Sequence, residues 1–275
     1  MRIMMKYIIK FSYDGTRFSG YQRGNGERSV EDSIQREIER LGIDSEIRSA
    51  ARTDRGVSAV SNVFSVEYGD RIEKLMGILN SRITDMSFHS FAVVDEKFNP
   101  RHCTMKWYRY YLLQDVGVEG LRHVLEKFLG THDFRNYCRS DGRNTIRSIS
   151  KIEVGSENRS TFIDFYAQSF LWQQIRTIMA YAVQHSEHPD DSDPFVTSER
   201  YGRIAIPQSL ILMDINYESV RFTPYRSRSK EKFLEKNLNE IRSRYTFLSL
   251  EMDNLKRSGI ALDCDIKDAE TSSQG

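Results

Sequence analysis

The sequence of 275 residues carries 40 lysines and arginines against 39 aspartates and glutamates, so its formal net charge is +1. Hydrophobic residues make up 39% of the chain, which is enough to fill a core and excludes an intrinsically disordered protein. The near-neutral charge excludes binding of a polyanion through overall charge, so a nucleic-acid partner would have to meet a local basic patch.

Features that would place the chain in a membrane or an oxidising compartment are missing from the sequence. No uncharged apolar run approaches the length of a bilayer span. Three basic residues interrupt the N-terminal apolar run, so we expect no signal peptide there: Arg2, Lys6 and Lys10. The three cysteines lack the spacing of metal ligands, and we interpret them as reduced thiols of a cytoplasmic protein: Cys103, Cys138 and Cys264.

The first hundred residues predict strands and helices in alternation. Ser29 is placed to cap a helix that has Glu31 in its first turn, and Gly42 is placed to end it. Alternating apolar and polar residues predict strands on both sides of this helix. The predicted strands are residues 5–11, 46–51, 62–68 and 88–94, and the predicted helices are residues 30–41 and 71–80.

The residues from 101 to about 220 repeat this mixture of elements. An aromatic-rich run predicts a strand, a polar hairpin at 155–158 joins two more strands, and a long apolar segment predicts a helix. The predicted strands are residues 105–114, 146–154, 160–167 and 209–217, and the predicted helices are residues 121–130 and 169–185. Helices packed on a mainly antiparallel sheet make an α+β fold.

Beyond residue 217 the composition changes. Residues 225–245 are rich in lysine and arginine and predict a charged helix, and residues 263–275 are polar. We therefore divide the chain into an N-terminal α+β half (1–100), a C-terminal α+β half (101–220) and a basic helical extension with a polar tail (221–275).

One loop carries a pattern that fits catalysis. Residues 51–59 read Ala-Arg-Thr-Asp-Arg-Gly-Val-Ser-Ala and lie between two predicted strands. Asp54 stands between Arg52 and Arg55, whose positive charge favours an ionised carboxylate, and Gly56 permits a tight backbone. Such a carboxylate can act as a nucleophile or stabilise a cationic sugar. From these residues alone, an aspartate that closes a turn and pairs with an arginine is the better explanation of the pattern.

A second pattern mixes cations with aromatic residues. Lys97, Arg101, Lys106 and Arg109 fall in one stretch and are interleaved with Phe98, Trp107, Tyr108 and Tyr110. Cations beside aromatic rings are typical of nucleic-acid surfaces. A solvated strand face above core aromatics is the ordinary alternative, and composition alone favours it.

Several spaced motifs together resemble the TruA-type tRNA pseudouridine synthases. The Arg-Thr-Asp-Arg-Gly-Val segment resembles the loop that holds the family's catalytic aspartate. It is closer to archaeal and eukaryotic members than to bacterial ones, which carry Ala and His in place of Arg55 and Ser58. The resemblance covers roughly residues 5–217, and its other motifs, in chain order, lie at residues 13–22, 28–31, 98–101, 108–110, 129–134, 169–176 and 206–210.

This resemblance implies a fold and a reaction. The fold is two ferredoxin-like halves joined through a mainly antiparallel central sheet, with helices on one face and an RNA cleft between the halves. The reaction turns uridine in tRNA into pseudouridine without metal or cofactor, by cleaving the N1 glycosidic bond and rejoining the base through C5. A homodimer is also a family expectation. The resemblance does not decide whether the aspartate attacks the sugar, attacks the base or removes a proton.

Residue roles carry over position by position. Asp54 matches the catalytic aspartate, and Tyr108 matches the tyrosine that stacks on the base. Arg52 matches an arginine that fills the space of the flipped uridine, although a plain phosphate contact is as good an interpretation. Arg176 matches the family arginine that lies near the catalytic aspartate, so the resemblance implies that it pairs with Asp54. A helix-surface arginine bound to phosphate is the alternative, and the apolar residues around Arg176 favour the ion pair, because a buried arginine needs a partner. Arg55, Arg101, Lys106 and Arg109 are expected to bind RNA.

Two departures and two rival functions complete the prediction. Gln173 stands where many relatives have histidine, and Ser58 replaces the bacterial histidine, so the bacterial choice of uridines does not transfer. A non-catalytic RNA-binding relative of the same fold is the main alternative function. A metal-dependent nuclease is the second, but the four histidines that could serve it have no matching acidic set: His102, His132, His185 and His188.

Overall fold

A computed structural model describes residues 4–24, 28–113, 116–157, 160–196 and 199–257. Within these ranges, a β-α-β-β-α-β succession is followed by a β-α-β-β-β-α-β succession, which has one additional strand. The first comprises β1 (Met5–Tyr13), α1 (Val30–Arg40), β2 (Arg48–Ser49), β3 (Ser58–Tyr68), α2 (Ile72–Arg82) and β4 (Met86–Val94). The second comprises β5 (Met105–Tyr111), α3 (Val118–Glu126), β6 (Gly130–Asp133), β7 (Ile146–Glu157), β8 (Ser160–Ala167), α4 (Gln174–His185) and β9 (Leu210–Asn216), before β10 (Thr223–Pro224) and α5 (Arg228–Arg257).

The strands of both successions share one sheet. The order within the first is β4-β1-β3-β2, and the order within the second is β9-β5-β8-β7-β6, with antiparallel neighbours throughout. Both orders are ferredoxin-like. A short parallel pairing joins the halves, where Ser58 of β3 lies beside Ile211 of β9 and Ala59 lies beside Leu212. The predicted α+β class with two ferredoxin-like halves and a mainly antiparallel sheet is confirmed.

The first helix begins and ends where local chemistry predicts. The Ser29 hydroxyl accepts a hydrogen bond from the backbone N–H of Asp32 at 3.0 Å, which satisfies a free donor at the helix start. Such a cap is worth about 1 kcal/mol. Ile34 and Ile38 face the core with no exposed surface, and Gly42 ends the helix with a φ of +67°. Helix α1 contacts α2, and α3 contacts α4, as helices on one face of a sheet do.

The start of α4 differs from the prediction. A helix was expected from residue 169, but α4 begins at Gln174. Gln173 has a φ of +65°, in the left-handed region, so the helical backbone cannot extend past it towards residue 169. The Gln174 side chain instead accepts a hydrogen bond from the backbone N–H of Leu171 at 2.8 Å. Residues 169–173 therefore precede α4 and are not part of it.

Two other strand boundaries differ from the predicted ones because of how the strands pair. Strand β3 begins at Ser58 and not at residue 62, because β9 pairs with its first residues. Strand β7 runs through the predicted hairpin to Glu157, and Gly155 lies opposite Phe162, whose ring would be 2.4 Å from a Cβ placed on Gly155. The rest of that hairpin, residues 158–159, lies outside the described residues.

The chain divides into two compact units, Met1–Ser227 and Arg228–Gly275. The predicted division of the first unit near residue 100 stays a prediction. Within the second unit, α5 confirms the predicted basic helix and extends it to Arg257, while the predicted polar tail at residues 263–275 lies outside the described residues. Among the described helices, none is long and apolar enough to cross a membrane.

Candidate active site

The loop that carries Asp54 is fixed from below by buried polar groups. Asn62, which has no exposed surface, donates its side-chain amide to the carbonyl oxygen of Ala51 at 3.0 Å. The backbone N–H of Tyr21 donates to the carbonyl oxygen of Thr53 at 3.1 Å, and the Tyr13 and Thr53 hydroxyls share a hydrogen bond of 2.8 Å. These hydrogen bonds come from the core side of the loop and hold its backbone in place.

The turn after Asp54 depends on two glycines. The N–H of Val57 donates to the carbonyl oxygen of Asp54 at 3.2 Å, and Gly56 inside this turn has a φ of +86°. A Cβ on Gly56 would stand 3.0 Å from the Pro207 ring of the second half. A Cβ on Gly15 would stand 2.1 Å from the carbonyl oxygen of Val57. Both glycines therefore let other backbone or ring atoms come close to the loop.

Both oxygens of the Asp54 carboxylate accept hydrogen bonds from the second half. Arg176 Nη1 donates to Oδ2 at 2.8 Å, and Trp172 Nε1 donates to Oδ1 at 2.8 Å. Arg176 is 9% exposed, and its Nε donates to the carbonyl oxygen of Ala205 at 2.7 Å. The ion pair predicted between Arg176 and Asp54 is present. The Asp54 side chain keeps 20% of its surface exposed, so the carboxylate is both oriented and accessible.

Trp172 is the functional candidate that sequence reasoning missed. Its side chain is 42% exposed, and the Arg139 guanidinium lies over its ring, 4.2 Å from the centroid. The backbone N–H of Arg139 also donates to the Trp172 carbonyl oxygen at 2.8 Å. The predicted helix from residue 169 placed Trp172 four residues before Arg176, but α4 begins at Gln174, so helical spacing is not what brings the indole to Asp54. In the structure the left-handed Gln173 lies between the two donors, and the indole N–H reaches Asp54.

Tyr108 lies on the buried face of β5. Its ring meets the edge of the Phe170 ring, with centroids 5.3 Å apart. Burial, followed by the nearby Tyr13 and Asp54, raises the pKa of the Tyr108 phenol far above its ordinary value. Burial is the largest of these causes, and it favours the neutral phenol. Tyr110 shares the buried face, while Trp107 and Arg109 occupy the other, as the strand alternation predicted.

Arg52, the predicted space-filling arginine, and Arg101, a predicted RNA-binding residue, meet at a cavity beside the loop. The cavity has a volume of about 390 Å³ and contains Arg52 and Arg101 in its lining. Arg23 and Arg48 line it as well, opposite the carboxylates of Glu31 and Glu46. Arg55 is exposed on the loop itself.

The other two predicted RNA ligands have partners inside the protein. Lys106 donates its ammonium to the carbonyl oxygen of Ala50 at 2.8 Å, and burial lowers the pKa of that ammonium. Arg109 makes a two-pronged pair with the buried Asp164, through Nε and Nη2 at 2.8 Å each, and lies over the Phe162 ring. That Lys106 and Arg109 bind RNA stays a prediction.

Two of the histidines are engaged in ring stacking. His132 stacks on Phe195 at 4.2 Å between centroids, and His185 stacks on Tyr181 at the same distance. Within the described part of the chain, no group of three or more histidine, cysteine, aspartate or glutamate side chains is arranged to hold a metal ion.

Comparison with known proteins identifies the family. The model of a family described as tRNA pseudouridine synthase matches residues 124–218. A tRNA pseudouridine synthase A from Thermoplasma acidophilum is 49% identical over 220 residues, which cover 80% of this chain and 86% of that protein. Proteins of the same name from Picrophilus torridus and Pyrococcus furiosus are 42% and 38% identical over 81% and 79% of this chain and 86% of each relative. The chain therefore belongs to the tRNA pseudouridine synthase family.

Proposed function

We propose that this protein isomerises uridine to pseudouridine in tRNA and that Asp54 is its catalytic carboxylate. The observation that carries the proposal is the setting of Asp54. Two donors from the second half hold its oxygens at 2.8 Å each, yet 20% of the side chain remains exposed. The names of the relatives supply the reaction and the substrate.

The reaction needs a carboxylate and a dry site, and it is balanced without a redox partner. The bond from N1 to the sugar C1′ breaks, a bond from C5 to C1′ forms, C5 loses a proton and N1 gains one. Asp54 would act on the sugar, on the base or on the C5 proton, and all three roles use an ionised, oriented carboxylate. Arg176, at 2.8 Å, orients that carboxylate. Water must be excluded while the base is detached, since water would convert the isomerase into a hydrolase.

The neighbouring residues fit the recognition of a flipped base. Tyr108 offers a protonated phenol ring near Asp54, suited to stacking on uracil. Extraction of a uridine from a stack costs a few kcal/mol, and Arg52, which lines the cavity beside the loop, would fill the space left behind. Arg52, Arg55 and Arg101 would contact the phosphates of the tRNA in the cleft between the halves.

The setting of the enzyme is also part of this proposal. Cys103 and Cys138 are buried free thiols, which suits a cytoplasmic protein, although it does not demand one. A homodimer follows from the family resemblance.

The decisive experiment maps pseudouridine in tRNA after incubation with purified protein. Asp54→Ala and Asp54→Asn should form no pseudouridine while tRNA affinity stays within a few-fold of the original. Asp44→Asn, which removes an exposed carboxylate outside the loop, is the matched control and should retain full activity. Conversion by Asp54→Ala at the normal rate would refute the assignment. A wild-type protein that binds tRNA and converts no uridine would instead support the non-catalytic alternative.

A further inference from the structure

The segment between β6 and β7 carries three exposed arginines at intervals of four, Arg135, Arg139 and Arg143. Arg135 and Arg143 each form an ion pair with the aspartate that stands two residues earlier in the chain. The residue two positions before Arg139 is Tyr137, which is buried and offers no carboxylate. Among the described residues, no carboxylate lies within ion-pair distance of Arg139, so its charge is not neutralised by an acid there.

Arg139 is held beside the candidate active site through Trp172. Its guanidinium carbon lies 4.2 Å from the centroid of the indole ring, and its backbone N–H donates to the Trp172 carbonyl oxygen at 2.8 Å. The same indole donates its own N–H to the Asp54 carboxylate at 2.8 Å. A single ring therefore separates the guanidinium from the carboxylate, and two contacts fix the position of Arg139 relative to that ring.

The hydrogen-bond donors of the Arg139 side chain are available to a ligand. A guanidinium carries five N–H donors in one plane, and within the described part of the chain none of those of Arg139 has an acceptor. A planar fork of donors matches the oxygens of a phosphate. A side chain that already lies against a ring also loses less rotamer freedom when it binds. These properties suit Arg139 to a phosphate.

Two other cations of the second half that reach the loop are committed to partners inside the protein. Arg176 is 9% exposed and binds the Asp54 carboxylate itself, and Lys106 donates to the Ala50 carbonyl oxygen at 2.8 Å. Arg139 differs from both because it is exposed. Each nucleotide of an RNA strand bears one phosphate charge, so a uridine that reaches Asp54 carries a phosphate on either side.

We propose that Arg139 binds a phosphate of the tRNA strand directly beside the uridine that reacts at Asp54. This inference rests on the proposed function and adds to it a contact from the second half, since Arg52 and Arg55 belong to the loop of the first half. Each half then binds the backbone of the strand at the reacting uridine. Arg139 positions the strand and takes no part in the breaking or forming of bonds.

The first test compares the tRNA affinity of two arginine variants of the full chain over a series of salt concentrations. Arg139→Gln keeps a planar group beside the indole but removes the charge, so we expect a Kd about five- to tenfold weaker. The slope of log K against log salt should fall by about one, as the loss of one phosphate contact requires. Arg143→Gln is the matched control, because it removes an exposed arginine of the same segment that already pairs with Asp141. Its Kd should change by less than about twofold and its salt slope should stay unchanged.

The second test removes the charge of the phosphate instead. A tRNA is prepared with one uncharged methylphosphonate on the 5′ or the 3′ side of the uridine that the original protein converts. At one of these positions the original protein should bind about five- to tenfold more weakly, while Arg139→Gln should lose no further affinity, because the two groups form one contact. Normal binding at both positions, or equal losses in both proteins, would overturn the proposal.

Single-turnover rates at saturating enzyme distinguish strand binding from support of the indole. Arg139→Gln should keep a rate within about twofold of the original, since it leaves both donors of Asp54 in place. A lower rate at an unchanged Kd would overturn the phosphate contact and show that Arg139 only orients Trp172. An original protein that converts no uridine would refute the proposed function instead. The salt slopes would then still decide whether Arg139 contacts a phosphate, because equal slopes for Arg139→Gln and Arg143→Gln would overturn that contact.

Discussion

Two replacements of Arg176 test separately whether Asp54 needs a fixed orientation or only a nearby positive charge. The guanidinium uses two directions of one planar group, Nη1 towards the Asp54 carboxylate and Nε towards the Ala205 carbonyl oxygen, at 2.8 Å and 2.7 Å. A lysine ammonium keeps the charge, but it is a single point on a flexible stem and cannot hold both acceptors. Arg176→Lys and Arg176→Ala should therefore differ in how far they disturb Asp54.

The geometry sets the size of the effect. A hydrogen bond to a charged group contributes about 1.5–3 kcal/mol, and the Arg176 and Asp54 side chains are only 11% and 20% exposed, so little screening applies. Each 1.4 kcal/mol is a factor of ten in rate. Arg176→Ala should thus lower the rate of pseudouridine formation by about 10- to 100-fold, because Trp172 still holds one oxygen. The rate of pseudouridine formation by Arg176→Lys should lie between the rates of Arg176→Ala and of the original protein.

Single-turnover kinetics with enzyme in excess over tRNA would measure this rate, and filter binding would measure the Kd of the same variants. We expect the rate to fall while the Kd changes by no more than a few-fold. Arg36→Ala, on the exposed side of α1, controls for the loss of one positive charge and should leave the rate unchanged. A normal single-turnover rate with a tenfold weaker Kd would refute the orientation role and make Arg176 a phosphate contact.

The remaining predictions concern the supports of the loop and of the core beneath it. Trp172→Phe keeps a ring for Arg139 but loses the N–H that Trp172 donates to Asp54. Because this hydrogen bond is partly exposed, we expect a roughly three- to tenfold lower single-turnover rate at an unchanged Kd. A higher rate in Trp172→His than in Trp172→Leu would support the role of the N–H, and equal rates in all three variants would contradict it. Gly56→Ala forces a left-handed φ of +86° on a residue with a Cβ and brings that Cβ to 3.0 Å from the Pro207 ring. Thermal unfolding should therefore show that the free energy of unfolding falls by about 1–2 kcal/mol. An unchanged Tm would contradict this, because it would show that the turn relaxes. Burial raises the pKa of Tyr13 to about 12, so its phenol stabilises the fold fully below the ordinary value of 10.0 and loses that contribution as pH rises to about 12. Urea unfolding of Tyr13→Phe across this range should therefore show a shallower loss of stability with pH than the original protein, and parallel curves would count against the buried phenol.

Local chemistry made part of this structure predictable. The helix α1 needed only a capping serine, apolar residues at helical spacing and a glycine at its end, all within 14 residues of sequence from Ser29 to Gly42. Strand β8 was likewise predicted at its observed bounds from alternation and composition. The Asp54–Arg176 pair required a different argument, because a buried arginine must find an acid and the motif had already supplied one.

The features that were not predicted from the sequence have no local signature or depend on residues that are distant along the chain. The left-handed backbone of Gln173 has no local signature, since glutamine has no preference for that region. It delayed the start of the predicted helix to Gln174 and lies between the two residues that donate to Asp54. The early start of β3 was hidden for the same reason, because its first residues pair with β9, which lies about 150 residues further along the chain.

The site exists only because the two halves are joined in one register. Asp54 belongs to the first half, both of its donors belong to the second, and Pro207 contacts the loop at Gly56. The parallel pairing that fixes this arrangement begins at Ser58, four residues after Asp54. A slip of one residue there would turn the paired side chains to opposite faces and move the carboxylate by about 3.3 Å relative to its donors. Hydrogen bonds of 2.8 Å do not survive such a shift, so the short β3–β9 pairing holds Asp54 within reach of both Arg176 and Trp172.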